Sequence, residues 1–297
     1  MEKEVLDKYK KAGSICAAVR KDLTKVLKPG VKILEIAEIV DAKIEKLGGK
    51  PAFPVNISIN DIAAHYTPTF SDTIVIEESD LVKIDVGVHV DGYIGDMAFT
   101  YCSEKSDLVK ANEKILQAGI KAIKPGVLVS DIGNVIEDAA KAEGIGLIVN
   151  LTGHGLDRYV FHGQPSIPNV KNVIDIPLKE DSVVALEPFA CQTNGMIKES
   201  GIKEIYRYLQ RRPVRLNEAR KILDLAENEY GGLPFAKRWL VKEFSPVKVI
   251  MSLRQLEQVM ALEAYPILRE VDGKPCSQAE HTIIVKEKPI VTTKPSE

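Results

Sequence analysis

Two alternating eight-residue runs flank Asp91-Gly92 in the stretch KIDVGVHVDGYIGDMAFT, residues 83–100. Alternation on both sides of Asp-Gly specifies a two-residue β-hairpin. The turn also fixes the register, with Val90 facing Tyr93 and Asp85 facing Ala98. Asp96 then lies one step diagonal from Asp85 on the same face, at the ~7–8 Å typical of such neighbours. Ile84, Val86, Val88, Val90, Tyr93, Met97 and Phe99 fill the other face and form the packing side. The acidic side is either wet, as in many antiparallel sheets, or it holds a cation. Two adjacent buried carboxylates repel each other, and only a positive charge between them removes that cost.

The hairpin sits inside a repeated design. LKPGVKILEIAEIVDAKIEKLGG (27–49) and IKPGVLVSDIGNVIEDAAKAEGI (123–145) align without gaps at an offset of 96. Each reads as Lys-Pro-Gly-Val followed by an amphipathic helix that stops at glycine. Two such halves predict a shared sheet with helices packed on it. Further elements read as a helix over 3–27, a strand over 55–60, a Gly-rich strand region over 148–163, and strands over 183–190 and 280–285. Between 191 and 272 the texture changes: RLNEARKILDLAENEY, GLPFAKRWLVKEF and SLRQLEQVMALEAYPIL read as short helices set into a β-rich context. The expected fold class is therefore α+β, a pseudo-twofold antiparallel sheet interrupted by a helical insertion.

Composition narrows the function classes. The 297 residues are 45% hydrophobic, enough for a sizeable core. Forty basic against 42 acidic residues leave a net charge of −2, which gives no electrostatic case for a nucleic-acid or membrane partner. Four scattered cysteines without CxxC indicate neither a disulfide framework nor a zinc knuckle. The charged opening MEKEVLDKYKKAG is no signal sequence, and no apolar run spans a membrane. The expectation is a soluble cytoplasmic protein.

Other groups can join the two aspartates. His65 lies in AAHYTP, His154 in NLTGHG between two glycines, and His162 in FHGQPSIPN. Glu187 ends the apolar run VVAL and precedes Pro188, which holds it extended. Glu280 opens EHTIIV. Asp85, Asp96, Glu187 and Glu280 together would bring four negative charges into one core, which two divalent cations cancel. With one imidazole, His154, the set suits Mn, Fe, Co or Zn. No HExxH, GxSxG, P-loop or GxGxxG competes with it.

AFPVNISINDIAAHYTP, KIDVGVHVDGYIGDMAFT, LTGHGLDRYVFHGQPSIPN, VVALEPFA and AEHTIIV, in this order, resemble the methionine aminopeptidases of the pita-bread fold. The segment between Glu187 and Glu280 is similar to the winged-helix-like insertion of the type II subfamily, and the length resembles the archaeal form. The resemblance implies a pita-bread catalytic domain over 1–190 and 273–297, with the insertion subdomain over 191–272. It implies a dinuclear centre in which Asp85 chelates one metal, Asp96 and Glu280 bridge, and His154 and Glu187 bind the second. His65 and His162 match the family histidines beside the scissile peptide, and Phe53 and Phe161 fall where the methionine pocket is lined. Glu187 would relay the proton. His89, on the face of Asp85, matches no ligand and reads as a bystander near the turn.

The implied reaction is removal of the N-terminal methionine from peptides and nascent proteins by a metal-activated hydroxide, with a small second residue preferred. A cytoplasmic monomer is expected, and transient ribosome association is left open. Two alternatives stand beside this reading. One is a Xaa-Pro aminopeptidase or prolidase of the same fold. The other is a non-catalytic pita-bread protein that binds RNA or the ribosome.

Overall fold

A computed structural model describes residues 1–294; the expected catalytic boundary at 297 lies outside the described residues. The hairpin forms as read. Its strands are Val82–Val90 and Tyr93–Tyr101, with Val90 opposite Tyr93 and Asp85 opposite Ala98. Asp91 and Gly92 have φ of 52° and 88°, the left-handed pair that a tight hairpin turn demands. The acidic face is not wet: Lys83 and Asp96 are each 1% exposed.

The repeat is real in three dimensions. Helices α1 (Lys3–Leu23) and α2 (Ile33–Lys46) pack on the first hairpin through a core that includes Ile15, Ile36, Val40, Ile84 and Val88. Helices α3 (Asp107–Ala122) and α4 (Val129–Ala142) pack on the second sheet around Ile115, Ile136, Val184 and Ile283. The equivalence reaches single hydrogen bonds. Gly30 and Gly126, with φ of 86° and 81°, donate to Ile76 O and Leu178 O, both at 2.8 Å. Glycine is required at both turns because φ is positive there.

The two sheets meet edge to edge. Val82–Val90 carries Asn56–Ile59 and Tyr93–Tyr101 beside it; Val183–Leu186 carries His281–Ile284 and Thr152–Asp157. At the seam the Glu280 N–H donates to Ala98 O at 2.9 Å. The Thr282 hydroxyl accepts the Asp96 N–H at 2.7 Å and donates to Asp96 O at 2.9 Å. Thr100 and the backbone of Gln278 make the same reciprocal pair at 2.8 and 2.9 Å.

Three element readings need correction. The first helix ends at Leu23 rather than 27, in a turn before Lys28-Pro29-Gly30. The run 183–190 is not one strand: it breaks after Leu186 and resumes at Phe189 in another sheet. The segment 191–272 is only partly helical. Its frame is a long antiparallel pair, Ile197–Tyr208 with Leu262–Glu270. Between these lie helices Asn217–Asp224, Lys237–Leu240 and Pro246–Gln258 around a core of Leu223, Phe235 and Leu253. The expected helix SLRQLEQVMALEAYPIL stops at Gln258, and Leu262 onward is strand, because pairing with Ile197–Tyr208 overrides local propensity. Among the described residues no helix is long and apolar enough to cross a membrane.

Candidate metal centre

The first half presents its carboxylates from an intact ladder, with Asp85 opposite Ala98 and Asp96 opposite Gly87. The second half presents them from a broken one. Leu186 pairs with His281 and Phe189 pairs with Gln278, in a single register. Glu187 and Glu280 therefore stand opposite each other in the gap. Pro188 makes the gap, because it has no N–H to contribute to a ladder. Both glutamates are left free to face the cavity that Asp85 and Asp96 also line.

That cavity, of about 340 Å³, is lined by every candidate site residue: Asp85, Asp96, His154, Glu187, Glu280, His65, His162, Phe53 and Phe161. His154 reaches it because its neighbours are glycines. A Cβ on Gly153 would lie 2.4 Å from Ala185 O, and one on Gly155 2.1 Å from Gln164 O. The His154 Nδ1–H donates to Gly155 O at 3.2 Å. Its Nε2 is thereby left with a lone pair, 3.5 Å from Glu187 Oε1 and 3.7 Å from Asp96 Oδ2.

Burial dominates the electrostatics. It lifts the Asp85 carboxyl to about 6. It holds Asp96, Glu187 and Glu280 well above the usual carboxylate range, and each is pushed further by its acidic neighbours. The same burial lowers His154 and His65 to about 4, so both imidazoles are neutral at pH 7. Asp96 Oδ1 and both Glu280 carboxylate oxygens are buried without a hydrogen-bond partner. Such orphaned oxygens are costly unless something else pairs with them. One oxygen of Asp96, one of Glu280 and a nitrogen of His154 lie within 4.8 Å of one another, an arrangement able to hold a metal ion. The donor set thus fits a divalent cation in charge, spacing and unmet hydrogen bonding.

His65 is held in an unusual backbone state, with φ of 63°. Its N–H donates to Asn56 Oδ1 at 2.6 Å, and its Nδ1–H to Pro266 O at 3.2 Å. The ring of His162 sits 4.7 Å from that of His154 and 6.4 Å from that of His65. Phe53 and Phe161, 4.9 Å apart, form an apolar wall beside them. Gly87 permits that wall, since a Cβ there would come within 2.6 Å of Phe161. His89 lies apart from the cavity, accepting the Gly92 N–H at 3.1 Å in the hairpin turn.

The sequence profile of metallopeptidase family M24 matches residues 7–232. The chain belongs to metallopeptidase family M24. A relative from Thermococcus onnurineus, a methionine aminopeptidase, is 47% identical over 95% of this chain and 97% of its own. Among solved structures, a thermophilic Arx1 superposes with a TM-score of 0.86, at 18% identity, over all of this chain and 92% of that one. A methionine aminopeptidase from Thermotoga maritima gives 0.69, at 24% identity, over 99% and 98%. At such identities these two structures establish the fold, the pita-bread architecture of this family.

Other residues in or beside the cavity are not marked out by the sequence. Gln278 donates Nε2–H bonds to Asp85 Oδ2 at 3.1 Å and Glu187 Oε2 at 3.2 Å, tying the carboxylates of the two halves together. Asn56 reads from the sequence only as one position of a strand. Tyr265 and Leu268 line the cavity from the strand misread as helix. Their Tyr-Pro-Ile-Leu context, rich in β-formers around a proline, was the available signal.

Proposed function

We infer that this M24 metallopeptidase is a methionine aminopeptidase, hydrolysing the first peptide bond of chains that begin with methionine. The observation that carries the reading is the cavity itself. Four carboxylates and a neutral imidazole face two further histidines and an aromatic wall, in a chain 47% identical to an enzyme of that name. Asp85, Asp96, His154, Glu187 and Glu280 are the residues that would hold two divalent cations, drawn from Co, Mn, Fe or Zn. Bound there, such cations supply Lewis acidity and bring the pKa of a water towards neutrality.

The chain's own groups do the rest. Glu187 faces the cavity at a strand break and is the group to take a proton and return it to the leaving amine. The Nδ1–H of His65 is committed to Pro266 O, so its Nε2 lone pair is free to accept the N–H of the scissile amide. His162, neutral and close to His154, is placed to donate to the carbonyl oxygen as charge develops. Phe53 and Phe161 bury the methionine side chain, a selection worth only ~1–3 kcal/mol per methylene. The cavity's size leaves room for a small second residue, and discrimination there is steric. Its substrates would be peptides and nascent proteins, met in the cytoplasm. A net charge of −2 speaks against lasting contact with RNA.

A peptide panel tests this. Met-Ala-Ser should be cleaved, chelation should stop the reaction, and added Mn or Co should restore it. Turnover of Ala-Pro peptides with Met-Ala-Ser left intact would move the chain to the Xaa-Pro peptidases.

A further inference from the structure

Lys83 is fully shut away from solvent, at 1% exposure. Long basic side chains are almost never fully buried unless something holds the charge. It stands on the acidic face of the hairpin, two residues before Asp85. Its hydrogen-bond partners are two backbone carbonyls, Asn60 O at 2.7 Å and Cys276 O at 3.0 Å. The ammonium therefore sits where three stretches of chain converge. One is its own strand, which carries Asp85. The second is the turn at Asn60, left-handed with φ of 53°, which leads through Ile62–Ala64 to His65. The third is Cys276–Gln278, which leads to Gln278 and Glu280.

The junction is tight around it. Asn60 O also accepts the Cys276 N–H at 3.1 Å, and Asn60 is clamped from the other side by Asp80 Oδ1 at 2.8 Å and the Leu81 N–H at 3.0 Å. Lys83 pairs across the hairpin with Thr100, whose hydroxyl holds the backbone of Gln278. These groups come from both halves of the repeat, and the stretches they lead to carry His65, Asp85 and Glu280, which line the metal cavity.

We propose that Lys83 is a positioning residue of the metal centre: its ammonium clamps the Asn60 turn to the Cys276 strand and fixes His65, Gln278 and Glu280 relative to Asp85. The cost of burying a charge whose hydrogen bonds go only to carbonyls, eased through space by Asp61 and Asp80, is accepted because the junction sets the spacing of ligands contributed by different segments. Removing it lets those segments shift relative to one another, and a metal site loosened in this way binds less tightly. This inference rests on the reading that the carboxylate cluster holds metal.

The test is Co(II) binding to the full-length chain, followed through its d–d absorption in competition with a chelator. Lys83→Met removes the donor at nearly constant volume. Wild-type protein titrated in parallel tests the metal reading itself, which fails if no Co(II) binds. With wild type binding, folded Lys83→Met should bind Co(II) roughly tenfold more weakly or worse, with an altered absorption spectrum. A structural staple alone would lower the melting temperature and leave the affinity and spectrum of the folded protein unchanged; that outcome overturns the proposal. Should Lys83→Met not fold, Lys83→Ala is titrated with and without methylammonium. Recovery of Co(II) affinity only with the amine supports the clamp, and wild-type affinity without it, or refolding by the amine with no gain in affinity, overturns it.

Discussion

His65 shows how much a single residue's role depends on neighbours that its local sequence does not announce. A non-glycine residue in the left-handed region costs of order 1–3 kcal/mol and persists only where its surroundings impose it. Here the Asn56 side chain takes the His65 N–H at 2.6 Å, and Pro266 O takes its ring N–H at 3.2 Å. Asn56→Ala removes the first of these. With His65 free to relax, kcat/KM on Met-Ala-Ser should fall about tenfold, or about 1.4 kcal/mol. Co(II) affinity should stay unchanged, since the Asn56 side chain bonds only Pro54 O and the His65 N–H, and its pairing with Asp85 is through the backbone, which alanine keeps. Steady-state kinetics beside a metal titration checks this, and equal losses in both would show that Asn56 supports the cavity as a whole. The sequence made His65 a candidate through its resemblance alone. Its strain was not legible, because no residue pattern signals a positive φ at histidine. Gln278 was missed for a related reason. An amide that bridges two carboxylates from different strands has meaning only once those strands are side by side.

At the scale of elements, legibility followed hydrogen bonding. The hairpin was readable to the residue because alternation and Asp-Gly are local signals, and the turn dictates everything after it. Glu187 was readable as a strand-end carboxylate. Its place opposite Glu280, in a gap that Pro188 opens, required the register of a strand almost a hundred residues away. The insertion was legible as a change of texture but not as a framed unit, since its long strands are held mainly by each other. It is anchored to the first half by a part-buried ion pair. Arg238, 4% exposed, meets Asp41 of α2 at 2.9 Å and also donates to the Thr67 hydroxyl, two residues beyond His65. Trp239 Nε1 donates to the same Asp41 oxygen at 2.8 Å. Arg238→Met leaves Asp41 with one donor, and because Asp41 keeps some access to solvent the loss should lie between the ~1 kcal/mol of exposed pairs and the ~3–5 kcal/mol of fully buried ones. Urea unfolding of the metal-free protein measures it. A loss below about 1 kcal/mol, the range of exposed pairs, would show that the anchor lies elsewhere.

Across the whole molecule, the repeat explains why the site lies at its centre. Each half contributes a helical layer and a sheet, and the acidic positions fall where the sheets join. That arrangement concentrates carboxylates whose charges the protein alone does not balance. In the metal-free chain Asp85 titrates at about 6 against an ordinary 3.8, so protonation favours the fold. Its contribution is full below 3.8 and is lost as pH rises through about 6. His154, lowered to about 4 from 6.5, has the opposite sign: its contribution is present above 6.5 and is lost as pH falls through about 4. At pH 6 and above His154 is thus already neutral and has no proton to give up, whereas Asp85 is only part-ionised at about 6 and burial holds Asp96, Glu187 and Glu280 well above the usual carboxylate range. Metal uptake must therefore expel carboxylate protons, and apparent Co(II) affinity should strengthen as pH rises through about 6. The rise in melting temperature on adding Co(II) should grow over the same interval. Calorimetric titrations in buffers of different ionisation enthalpy count the released protons directly. An affinity that does not change with pH, with no proton release, would mean that the four carboxylates are already ionised in the metal-free fold. Some other positive charge would then have to balance them.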